Sequence, residues 1–100
     1  VDSAASQAAE RERLLQLRID FYKAGPEEFL ELFDGYTARG DVRRARSVAE
    51  RAGQEAARLT LVASVAATVQ DELAIKQKAA RMDSLVEVFL QQLPAPEPGP

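Results

Sequence analysis

The sequence has no cysteine, no histidine and no tryptophan. Without cysteine there is no disulfide framework, thiolate nucleophile or zinc-finger spacing. Without histidine the commonest metal ligand and neutral-pH general base is also missing. Glycine and proline are sparse, five each, while 18 Ala, 11 Leu and 8 Val supply most of the hydrophobic fraction, so the composition is that of a helical chain. Aromatics are few, four Phe and two Tyr, and all but Phe89 fall between Phe21 and Tyr36. A 100-residue chain is one domain by length, and a core made mostly of Ala and Val is thin unless a partner chain completes it.

Positive charge is not in excess either, with 13 Lys+Arg against 16 Asp+Glu. That balance argues against a general nucleic-acid footprint, which draws on clustered cations. The one basic run, Arg43, Arg44, Arg46, Arg51 and Arg58, is interrupted by Glu50 and Glu55 and reads as a salt-bridged helix face. The longest apolar window, Leu59 to Val69, is too short to span a bilayer. Lys76, Lys78 and Arg81 lie near Asp71, Glu72 and Asp83, so membrane-surface attachment lacks its cationic face. No secretory signal opens the chain, Val1 and Asp2 read as a cloning remnant, and an intracellular, cytoplasmic location is expected.

Apolar spacing predicts helices throughout. In the segment 3–24, Leu15, Ile19 and Tyr22 fall at i, i+4 and i+7, with Leu14, Leu17 and Phe21 widening the stripe and Gly25 as its end. Pro26 suits the first position of a second helix, 26–39, with Glu27 and Glu28 at the positive end of its dipole. Gly40 and Asp41 then make a C′ residue and an N-cap in a tight helical turn. From Val42 to Leu93 there is no proline and the single glycine is Gly53, so the rest reads either as helices 42–52 and 54–93 or as one continuous helix. The tail from Pro94 to Pro100 is expected to be an extended, disordered linker into a larger protein.

Within the long segment Leu59, Val62, Ala66, Val69 and Leu73 step by threes and fours, as do Ile75, Ala79, Met82, Val86, Phe89 and Leu93. The two runs are offset by the step of two from Leu73 to Ile75, so the halves of the helix face different neighbours. The stretch around Val65 is apolar on nearly every side, which places a dimer core there. The C-terminal stripe lies beyond reach of the short N-terminal helices unless the long helix folds back, and an intermolecular partner is the favoured reading.

Phe29, Leu32, Tyr36, Gly40-Asp41, Ala45, Ala49 and Ala52 resemble the spacing of one tetratricopeptide-repeat hairpin, over about a quarter of the chain. The resemblance implies two antiparallel helices packed through small residues, with a face that binds extended peptides. The sequence departs from that family in having no second repeat.

Chemistry finds little footing. Ser, Thr, Tyr, Lys and carboxylates show no nucleophile–base pairing, Glu27, Glu28 and Glu31 read as a solvated face rather than a metal site, and no Gly-rich phosphate loop exists. No catalytic, cofactor-binding or metal residue is nominated. The expectation is an all-α protein, a helical hairpin plus a long C-terminal helix in a bundle completed by dimerisation. Its expected function is non-enzymatic protein–protein interaction and self-association through Leu59, Val62, Val69, Leu73, Met82, Val86, Phe89 and Leu93. The alternative is a monomeric adaptor with a partner groove at Phe29, Phe33 and Tyr36. Neither reading involves nucleic acid, membrane or a small-molecule substrate.

Overall fold

The structure, a computed structural model, describes residues 3–95. It is all-helical: α1 (Ser3–Asp20), α2 (Pro26–Ala38), α3 (Val42–Ser64) and α4 (Val69–Gln92). Paired side chains fix the topology. Arg11 meets Glu31 and Arg18 meets Glu28, so α1 and α2 are antiparallel. Arg46 donates to the Pro94 carbonyl, which makes α4 antiparallel to α3. Arg81 pairs with Glu27 while Phe89 stacks on Phe33, so α4 runs parallel to α2, and both lie on α3.

The α2–α3 hairpin forms where turn chemistry places it. Gly40 sits at φ 73 with its own N–H on the Thr37 carbonyl and the Asp41 N–H on the Tyr36 carbonyl, a Schellman pair, and the Asp41 side chain accepts the Arg44 N–H at 3.2 Å. Gly25 precedes Pro26, and its N–H donates to the Glu28 carboxylate as half of a capping box. Ala45, Ala49 and Ala52 are buried, so small residues do line this hairpin.

Two boundaries differ from the sequence reading. The break in the C-terminal half falls at Val65–Thr68, and Gly53 lies inside α3. There the Thr68 hydroxyl caps α4 by accepting the Asp71 N–H at 3.0 Å, with Asp71 and Glu72 in the first turn. A single mid-helix glycine costs only about 1 kcal/mol, which the burial of Val48, Ala49, Ala52 and Ala56 on either side of it outweighs. The first helix ends at Asp20 rather than Ala24, because Tyr22 adopts φ 59 and a second Schellman pair closes there: Tyr22 N–H to the Ile19 carbonyl and Lys23 N–H to the Arg18 carbonyl.

Folding back at Thr68 supplies the missing core. Phe33 and Phe89 are fully buried and stack with centroids 4.0 Å apart, and Leu15, Phe29 and Met82 complete the set of large enclosed side chains. The small buried residues Ala52, Ala56 and Ala63 of α3 and Ala79 of α4 let the two helices approach closely. The result is 50 × 41 × 18 Å. A slab that thin leaves helices covered on one side only, so apolar side chains remain outside.

Candidate functional site

The nominated self-association residues divide between core and surface. Met82, Phe89 and Leu59 are buried within the chain, and Val86 and Leu93 are half-buried against the same core. The expectation that the C-terminal stripe lacks an intramolecular partner is therefore corrected: α4 reaches α2 and α3 by reversing at Thr68. Val62 is half-buried, whereas Val69 and Leu73 are exposed close to the turn. The alternative groove is also corrected, since Phe29, Phe33 and Tyr36 are buried and form the core rather than lining an open face.

Three features stand outside the core. Leu61 on α3, Val65 in the turn, and Val69 and Leu73 on α4 surround the α3–α4 reversal and are 71%, 80%, 70% and 54% exposed. Between α2 and α4 runs an apolar groove of about 510 Å³ floored by Pro26, Leu30, Ala80, Leu85 and Val88, with the Glu27–Arg81 pair on its rim. A smaller recess of about 240 Å³ lies under the α1–α2 loop against Ile19, Ala24, Phe29, Arg51, Glu55 and Arg58.

That recess contains Glu55, the one buried charged side chain among the described residues. Its two oxygens accept from the Arg58 Nε and Nη2 at 2.5 and 2.9 Å, and the Tyr22 ring covers the guanidinium at 4.8 Å. The Glu55 bond raises the Arg58 pKa. Sequence reading missed this unit, because a Glu–Arg pair three apart on a charged helix looks like an exposed face.

The three glutamates of α2 each take a separate cation: Glu27 takes Arg81, Glu28 takes Arg18 and Glu31 takes Arg11. Among the described residues no cluster of three metal-ligating side chains occurs, and no helix is long and apolar enough to cross a membrane. Of the basic run, Arg44 pairs with Asp41, Arg51 with Asp20 and Arg58 with Glu55.

The first helix is held to the body by two buried apolar side chains and a row of partly exposed polar contacts. Beyond the buried Leu15 and Ile19, its contacts include Arg11–Glu31, Glu12–Arg39, Arg18–Glu28, Asp20–Arg51, a hydrogen bond from Gln16 to the Tyr36 hydroxyl and one from Arg51 to the Ile19 carbonyl. The Arg11 hydrogen bond holds the Glu31 carboxyl below its ordinary pKa. The Arg39 hydrogen bond, seconded by Tyr36, does the same for Glu12. Depressed carboxylates stabilise docking fully above the ordinary value of 4.5, and that contribution is lost as pH falls through the lowered folded values. Below about pH 4, or in about 1 M salt at neutral pH, NMR resonances of α1 are therefore expected to shift toward those of an undocked helix while those of Phe33, Met82 and Phe89 stay in place. Simultaneous movement of both sets would contradict this.

Compared with protein-family models, curated proteins and solved structures, the chain matches none.

Proposed function

We propose that this is a non-enzymatic protein–protein interaction domain that self-associates through the α3–α4 turn. The observation that carries the reading is the set Leu61, Val65, Val69 and Leu73, four large apolar side chains left in water around one turn of a small domain. Elsewhere polarity is well satisfied: among the described residues no buried side-chain nitrogen or oxygen lacks a hydrogen-bond partner. A domain that pairs its buried polar groups so completely and still exposes Val65 has a use for that surface, and a second copy presents the same apolar surface in return. Val62 and Ala66, both half-buried beside the turn, extend it.

The test is absolute mass in solution, by light scattering after size exclusion across a concentration series. The expected mass approaches twice 10.9 kDa at high concentration. Val65→Asp and Val69→Asp are each expected to lower the dimer fraction at a given concentration sharply and leave the melting temperature of the single chain almost unchanged, since both side chains are exposed. A mass that ignores both substitutions would refute this surface as the contact.

A further inference from the structure

We propose that α1 is an exchangeable helix: its seat on α2 and α3 accepts the α1 of a second copy, with the loop 21–25 as the hinge. This rests on the self-association reading and gives it a second, separate contact. Three observations lead there.

Most of the core lies outside α1. Phe29, Phe33, Met82 and Phe89 pack α2, α3 and α4 around one another, whereas α1 buries just Leu15 and Ile19 of its 18 residues. An element with two apolar anchors and a row of partly exposed ion pairs belongs to the low-stability end of a domain, and the same contacts are available from any other copy.

The hinge is strained, and the chain carries its own control. Both α1 and α2 end in Schellman pairs with a left-handed residue; in α2 that residue is Gly40, in α1 it is Tyr22. A left-handed conformation is free for glycine and unfavourable for a tyrosine. Short strained hinges favour exchange, because opening releases the strain in both copies. Five residues, extended, reach about 17 Å, enough to let α1 leave its own body.

The third observation is the outer face of α1. Leu14 and Leu17 of α1, and Phe21 at the start of the hinge, stay exposed when α1 sits on its own chain. In a two-fold exchanged pair the hinges run past each other near the axis, and Phe21 is the large side chain each one brings there.

The ion pairs supply the test. One full-length chain carries Arg11→Glu with Glu12→Arg, a second carries Glu31→Arg with Arg39→Glu, and both carry Val65→Asp so that the turn contact is silent. Alone, each sets like charges against each other at positions now occupied by bidentate pairs. Mixed, every pair is restored, in trans only. The expected result is a 1:1 species near twice 10.9 kDa, favoured over either homodimer by about tenfold or more from four restored surface pairs. If one chain alone loses helix by circular dichroism, mixing is expected to bring it back. A mixture that stays at single-chain mass, pairs at random, or shows no recovery of helix would overturn exchange. In the parent chain with Val65→Asp, Tyr22→Gly is expected to lower dimer formation by at least about tenfold, and an unchanged constant would remove the hinge from the account. Loss of the Val65-dependent mass leaves these outcomes untouched, so the two contacts fail separately.

Discussion

Replacing Phe89 with alanine is expected to remove about 3–5 kcal/mol of stability, the cost of deleting a large buried aromatic side chain and leaving a void. The ring is fully enclosed and stacks on Phe33 with centroids 4.0 Å apart. For a domain of this length the loss is a large part of the whole stability and lowers Tm by more than about 12 °C. Leu90, next along α4 and mostly exposed, gives the control: Leu90→Ala is expected to change stability by less than about 0.5 kcal/mol. Phe33→Ala with Phe89→Ala is expected to cost less than the two single losses added, since both delete the same stack. Urea and thermal melts followed by circular dichroism read all four variants. Because this stack joins α4 to α2, an unchanged melt for Phe89→Ala would mean that α4 does not fold back on the body at all.

That fold-back is also where sequence and structure part. Pro26, Gly40 and Asp41 are local signals whose meaning does not depend on distant packing, and the α2–α3 hairpin follows from them directly. Gly53 is the more conspicuous breaker in the second half, but it holds an ordinary helical place in α3. The decisive signal was quieter. Thr68 followed by Asp71 and Glu72 is a helix-start pattern, hidden within the apolar run that ends at Val69 and accompanied by the two-residue step from Leu73 to Ile75. Missing it turns one reversed helix into a long straight one, and a straight helix carries Met82 and Phe89 out of reach of Phe33. From that single boundary came the assignment of buried core residues to a partner. The end of α1 was not legible at all, since a left-handed tyrosine has no sequence signature; its ring rests on Arg58, a contact made across 36 residues of chain. At the surface the opposite holds. The apolar stretch around Val65, which stands out in the sequence, stays exposed in the structure, with Leu61, Val65 and Val69 mostly uncovered by the described residues.

Arg58→Ala is the second large effect expected. The substitution strands the Glu55 carboxylate, 6% exposed, without the two hydrogen bonds it now accepts. An unpaired buried charge costs about 3–5 kcal/mol; with the Arg58 side chain 37% exposed, water reaches the site and the expected loss is nearer 2–3 kcal/mol. Exchanging both partners tests the cause. Glu55→Met with Arg58→Met leaves no charge to desolvate, keeps most of the volume, and is expected to be more stable than Arg58→Ala alone, although it alters more atoms. If the double variant melts no later than the single one, shape rather than charge holds the recess together. The loop offers a second readout. The Tyr22 ring lies on the Arg58 guanidinium, so losing Arg58 removes what offsets a left-handed tyrosine, and hydrogen exchange at residues 21–24 is expected to accelerate in both variants equally. Stability that separates the two variants, with loop exchange that does not, would assign Glu55 to the body and Arg58 to both the body and the hinge.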